Sequence, residues 1–289
     1  PCFMLKVIHR PTKEEKDVEI STSQKFLYRN LFGRCVLKFL IRPFVSKIVG
    51  AYLSSRLSKH RIKKFIQRNT INTEDFILDD IHSFNDFFSR KIKEGRRIID
   101  KDESVLISPC DSKLSVFPIE ENSIFKIKDS YYRVSDLLKN EALAKEYVGG
   151  FCFVFRLAVD DYHRYCYIDD GHHEEVINIK GTFHTVNPIA LERYNFFKTN
   201  HRQYTILHTE HFGDLIQVEV GAMMVGKIDN YYKNYTFKKG EEKGRFLFGG
   251  STIVLLTKDV ISVDADLLAY TASGDEVQVS YGERIGVLK

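Results

Sequence analysis

The apolar residues of this chain change their spacing near residue 100, and that change restricts the fold more than any single motif. Before it, Phe26, Leu27, Leu31, Phe32, Val36, Leu37 and Leu40 recur at three- and four-residue intervals. Pro43 interrupts the pattern, and Val45, Ile48, Val49, Tyr52 and Leu53 resume it. That period belongs to amphipathic helices, and two or three are expected. After about Asp100, short β-rich runs alternate with Gly, Asn and Asp turns; examples are residues 115–117, 151–157, 205–207, 215–220 and 252–256. Few long helical periods follow residues 134–147. The expected fold class is α+β, with an N-terminal amphipathic helical layer followed by a mainly antiparallel β domain. The expected boundaries are an extension over 1–24, the helical region over 25–100 and the β-rich domain over 101–289. Residues 231–243 read as a polar, basic loop.

Charge is distributed as unevenly as apolarity. Residues 25–68 hold twelve Lys or Arg and no Asp or Glu, although the whole chain carries only +4. One reading is a helical layer with solvated lysines. The sharper one is a surface that lies on anionic lipid. Nucleic acid is another polyanion such a patch can meet, but no nucleic-acid motif accompanies it, and none is expected as a partner. No apolar stretch reaches the ~18 residues a spanning helix needs, and the opening run is too short for a signal peptide. Cys2, Cys35, Cys110, Cys152 and Cys166 show no CxxC pair. They read as reduced thiols of a cytosol-facing protein. No zinc spacing appears, and no metal is expected. The expected location is peripheral, on the cytoplasmic face of the cell membrane.

The run Phe248-Gly249-Gly250-Ser251-Thr252-Ile253-Val254-Leu255-Leu256 places a Gly–Ser bond at the mouth of an apolar strand. Taken alone, Gly-Gly-Ser-Thr before a strand is usually a turn. The same bond also suits an N→O acyl shift. Gly250 has no side chain to block attack on its carbonyl, and the Ser251 hydroxyl can form an ester there. Removal of the Ser251 Cα proton then breaks the chain by β-elimination. The new terminus hydrolyses to a pyruvoyl group, an electron sink of the kind other enzymes obtain from PLP.

Other segments come in a set order. They are Phe87-Phe88-Ser89-Arg90-Lys91, Gly95-Arg96-Arg97-Ile98-Ile99-Asp100 and Ser108-Pro109-Cys110-Asp111. The run from Arg156 to Arg164 follows, with Asp160-Asp161-Tyr162-His163, and then Thr185-Val186-Asn187-Pro188. After those come Val220-Gly221-Ala222, Val225-Gly226-Lys227-Ile228, Lys239-Gly240-Glu241 and Gly244-Arg245-Phe246. This ordered set, spanning about residues 87–256, resembles the phosphatidylserine decarboxylase family. The resemblance implies self-cleavage at Gly250–Ser251 into chains 1–250 and 251–289, which stay together as a heterodimer. It implies a covalent pyruvoyl cofactor derived from Ser251, a phospholipid substrate and an anionic membrane surface as partner. Further assembly into a homo-oligomer stays open.

Among site residues, Ser251 is the expected nucleophile, and the resemblance makes His163 the candidate acid or base. It makes Asp111 the carboxylate that orients a histidine; without it, Asp111 reads as an ordinary Asx turn. Many relatives carry a second histidine three residues after the first, and here that position is Cys166. The cleavage base is therefore open among His163, another histidine such as His172, His173 or His184, and a Cys166 thiol with a lowered pKa. Ser112 and Gly249 also depart from the usual Gly and Leu. Arg164, Arg156 and Arg202 are candidates for holding the substrate carboxylate or phosphate. Three rival readings remain: a pyruvoyl decarboxylase of a soluble amino acid, an unprocessed membrane-surface protein, and a Ser-His-Asp hydrolase. The last lacks a GxSxG elbow, and Ser251 opens a strand instead of preceding a helix.

Overall fold

The computed structural model describes residues 6–18, 26–27, 30–40, 42–127, 130–182, 196–222, 227–247, 249 and 251–289. Gly250, His184, the Thr185-Val186-Asn187-Pro188 segment, Phe248 and the Val225-Gly226 pair lie outside them. The fold is mixed α/β with mainly antiparallel sheets.

An 11-stranded sheet organises the molecule. Its order runs Tyr235–Phe237, Gly171–His173, Arg202–Thr209, Gly213–Val220, Ser251–Thr257, Phe151–Leu157, Ser112–Pro118, Glu276–Val279, Lys6–His9 and Glu15–Asp17, with Ile177–Ile179 beside Arg202–Thr209. The strand Ser251–Thr257 is fully buried along its length. Its β-branched, apolar sequence suits a position covered on both faces. Ile253 and Leu255 enter one core with Phe153, Phe155 and Tyr165. Val254 and Leu256 enter a second core with Tyr147 and Val218. Each such side chain stabilises the fold by roughly 1.5–3 kcal/mol.

A three-stranded sheet, in the order Arg164–Cys166, Glu242–Phe246 and Ile228–Asn230, contributes Tyr165, Cys166, Phe246 and Ile228 to the first core. The five short strands expected from sequence all fall inside observed strands. The segment read as a loop over 231–243 instead contains Tyr235–Phe237 and the start of Glu242–Phe246. Phe237 stacks on Tyr167 with centroids 4.0 Å apart, which accounts for its burial. The expected N-terminal extension also supplies sheet: Lys6–His9 pairs parallel with Glu276–Val279. Arg10 then bonds Asp264 and Asp266, fixing that end.

Helices span Leu31–Leu40, Pro43–Leu53 and Arg61–Asn69, with a 3-10 turn at Arg56–His60. Pro43 sits in the first turn of its helix, where its missing N–H costs nothing. Leu53 packs with Phe84 and Phe88 of the short helix Phe84–Phe88, which Ser83 and Asp86 cap reciprocally. No helix among the described residues is long and apolar enough to cross a membrane.

Candidate active site

Ser251 begins its strand opposite Leu157, and its side chain is fully buried. The Ser251 hydroxyl has no hydrogen-bond partner among the described residues. A buried orphan hydroxyl costs stability that a merely structural serine would recover. Gly249, two residues earlier, has φ +132°, a region that side-chain-bearing residues rarely enter. The change from the family's usual Leu at that position is thus matched to the local backbone.

His163 is also fully buried. Its Nδ1 lies 2.9 Å from the Asp161 carbonyl. A carbonyl only accepts, so the proton sits on Nδ1 and the Nε2 lone pair is left free. Nε2 has no partner. The ring lies 4.0 Å from that of Phe88. Burial pushes the imidazole pKa down to about 3, the Asp161 carbonyl opposes this, and the Arg90 charge adds to it. The ring is neutral, with one unused acceptor, at any ordinary pH. The backbone ties it to the cleavage segment, because the Phe246 N–H donates to the His163 carbonyl at 2.9 Å.

Asp111 bonds elsewhere. Arg97 grips its carboxylate through Nε at 2.8 Å and through Nη2, and the Tyr281 N–H donates at 2.8 Å. The nearest acidic neighbour of His163 in sequence, Asp161, turns its carboxylate to Lys113 at 2.7 Å and to the Ala158 N–H. Burial raises the Asp161 pKa to about 6, against the pull of Lys113.

The alternative cleavage bases separate clearly. The Cys166 thiol is buried, and burial pushes its pKa up to about 12, so it stays protonated. The hydrogen bond with Tyr281 pulls it down, but by less than burial pushes it up; the thiol also contacts the Ser108 carbonyl. His172 and His173 stand three strands away from Ser251 and about seven residues further along the ladder, more than about 20 Å in all. His172 stacks on His208, and His173 bonds the Tyr167 hydroxyl at 2.9 Å.

The three arginines offered by the sequence are already occupied. Arg156 pairs with Glu276. Arg164 bonds the Ser89 carbonyl, Tyr231 and Glu242. Arg202 spends its donors on the carbonyls of Asp136, Leu137, Lys198 and Asn200. Sequence reasoning missed further buried cations, of which two bear on the site. Lys243 forms an ion pair with Glu219 at 2.8 Å, both almost fully buried. Glu219 lies opposite Ile253, so the pair shares the sheet face of Ser251. Arg90 is the second, 2% exposed, and was signalled only by its place in Phe87-Phe88-Ser89-Arg90-Lys91.

The chain matches known proteins along most of its length. A family model described as phosphatidylserine decarboxylase matches residues 84–287. A phosphatidylserine decarboxylase proenzyme 2 of Clostridium acetobutylicum is 48% identical over 266 residues, covering 91% of this chain and 90% of the relative. A phosphatidylserine decarboxylase proenzyme of Clostridium novyi is 43% identical, covering 98% and 99%. One from Clostridium botulinum is 42% identical, covering 99% and 100%. The chain belongs to the phosphatidylserine decarboxylase family.

Proposed function

We infer that the chain cleaves itself between Gly250 and Ser251, and that the product decarboxylates phosphatidylserine to phosphatidylethanolamine. The single observation that carries the cleavage is the fully buried, unpartnered Ser251 hydroxyl at the head of a buried strand. The Gly-Ser bond in front of it has the residues an N→O shift requires. His163, with a free and unprotonated Nε2, is our candidate for moving protons at this site. The Asp161 carbonyl fixes its tautomer.

The surroundings of Ser251 fit a pyruvoyl group. Core side chains such as Leu157 flank the position, and burial away from water protects a ketone from hydration. When present, that group supplies an electron sink for the pair left behind as CO₂ departs. His163 Nε2 would take a proton from the substrate ammonium and then return it to the substrate carbon. The cleaved chains 1–250 and 251–289 would stay together, because Ser251–Thr257 is hydrogen-bonded on both sides, to Phe151–Leu157 and Gly213–Val220.

We further propose that residues 25–68 rest on anionic lipid on the cytoplasmic face of the membrane. Phe32, Phe44 and Leu57 are 70%, 64% and 75% exposed, and Ile48 is exposed as well. Apolar side chains beside exposed Lys38, Arg42 and Lys47 form the surface that enters a headgroup layer. We assign the helices of 25–100 to that contact and 101–289 to the chemistry.

Intact mass of the purified protein tests the cleavage. Two fragments meeting at residue 250, the smaller with a blocked terminus, are expected. Ser251→Ala should give one full-length chain. Splitting of that variant at the same bond would refute the mechanism.

A further inference from the structure

We propose that Arg90 holds the phosphodiester of the lipid substrate. The proposal rests on the reading of the site as that of a phospholipid decarboxylase. Arg90 is 2% exposed, and no carboxylate among the described residues lies within ion-pair distance of it. A guanidinium offers five N–H donors. Here Nη1 makes one long bond, 3.3 Å to the Phe87 carbonyl, while Nε and Nη2 have no partner among the described residues. Phe76 covers one part of the group at 4.1 Å and Phe87 lies 5.0 Å away. Ring faces offset only part of the cost of burying a cation. Among the described residues, no other arginine leaves a buried guanidinium nitrogen without a partner.

The position of Arg90 follows the order of groups in the substrate. A cavity of about 650 Å³ among the N-terminal helices is lined by Val49, Tyr52, Leu53, Phe65 and Phe84, with Arg61 and Lys64 also on its wall. Phe65 meets Phe84, Phe87 and Phe88 edge-on or tilted, at 5.0, 6.2 and 6.5 Å. Phe87 then lies beside Arg90, and Phe88 lies against His163. Acyl chain, phosphate and amino-acid head would thus meet apolar cavity, guanidinium and imidazole in turn.

The phosphate is preferred over the carboxylate on catalytic grounds. A cation paired with the carboxylate is held more tightly in the ground state than in the transition state, where that charge is dispersing. Such an interaction slows the chemical step. The phosphodiester keeps its charge throughout, so pairing with it serves binding alone.

The test is binding of short-chain phosphatidylserine and phosphatidylethanolamine by calorimetry. The cleaved enzyme is first treated with borohydride, so that no turnover intervenes. Arg90→Met should weaken both lipids by about tenfold to a hundredfold, the worth of one charge-assisted bond. Arg90→Lys, which keeps the charge without the fork, should weaken both by less. Loss confined to phosphatidylserine would assign the carboxylate instead and overturn the proposal. Unchanged affinity for both would reduce Arg90 to packing and overturn it as well. If Arg90→Met does not fold, Arg90→Lys and Arg90→Gln decide by the same criteria. Decarboxylation that survives borohydride would sink the pyruvoyl reading, whatever Arg90 does.

Discussion

The Phe246 N–H donates to the His163 carbonyl at 2.9 Å, and this one bond ties the candidate base to the segment that carries the scissile Gly–Ser pair. Phe246 ends the strand Glu242–Phe246, and Ser251 starts the next. Only four residues separate them, so the imidazole backbone and the cleavage bond cannot drift apart without breaking the three-stranded sheet. Five residue steps from Phe246 bound the distance from Ser251 to the His163 backbone at roughly 17 Å.

The pH dependence of cleavage follows. A free imidazole would lose its base form below about pH 6.5, cutting the rate about tenfold per unit. The folded His163 pKa of about 3 keeps the base form present throughout pH 5–8. Precursor cleavage, followed on gels, should show no inflection near 6.5. One found there, and removed by His163→Gln, would contradict the buried neutral ring. Stability is a poorer readout because two groups oppose each other. His163 contributes stability above its unfolded value that is lost as pH falls from about 6.5 toward 3. Asp161, raised to about 6, contributes stability at low pH that is lost as pH rises toward 6. His163→Ala should lower decarboxylation by about a hundredfold or more, the usual worth of a positioned acid–base group.

Cys166 is expected to be dispensable for cleavage. Its thiol, pushed up to about 12, cannot be the base at neutral pH. Cys166→Ser and Cys166→Ala should both still split, with Cys166→Ala costing on the order of 1 kcal/mol for the small void. Cys166→His must force an imidazole into a fully buried position beside Tyr281 and the Ser108 carbonyl, at about 1–3 kcal/mol of overpacking. A Cys166→Ser protein that never cleaves would make the thiol the base after all.

The strands were legible where apolar runs were continuous. The run Ile253-Val254-Leu255-Leu256 is buried from both sides, so no alternation was needed to see it. Val7 and Ile8 escaped notice because their partners, Glu276 and Val277, lie at the far end of the chain and the strand is four residues long. Ser251 and His163 were found through segment order, whereas their burial and free atoms exist only in three dimensions. Lys243 looked like part of a solvated loop. Its burial depends on Glu219, which folding alone brings to it. Arg90 was visible in the sequence, but nothing there distinguishes an unpaired arginine from Arg156 with its Glu276.

The Lys243–Glu219 pair should be costly to break. Both groups are almost wholly removed from water, and Asn230 and Gln217 complete their hydrogen bonds. Glu219→Ala strands the ammonium, at about 3–5 kcal/mol. For a protein of this size that lowers the melting temperature by roughly 10 °C. The comparison is made in the Ser251→Ala background, so that one uncleaved chain melts in each case. A fall of only a degree or two would mean that water reaches the pair.

Membrane binding through residues 25–68 gives the last prediction. Each basic side chain near an anionic bilayer is worth ~1 kcal/mol. Phe44 and Leu57, both largely exposed, add roughly 1.5–3 kcal/mol each if fully buried among acyl chains. The two contributions respond differently to salt, because exposed charges are screened over about 8 Å at physiological ionic strength whereas apolar burial is not. Wild-type protein should sediment with anionic vesicles at low salt and weaken, without full release, as salt rises. Lys38, Arg42 and Lys47 replaced together by Glu should release it at every salt concentration while self-cleavage continues, since these residues are remote in sequence from Ser251. Phe44→Ser with Leu57→Ser should instead leave a low-salt attachment that vanishes at physiological ionic strength. A wild-type protein that ignores anionic vesicles at low salt would remove the lipid-facing role of these helices and favour a soluble amino-acid substrate.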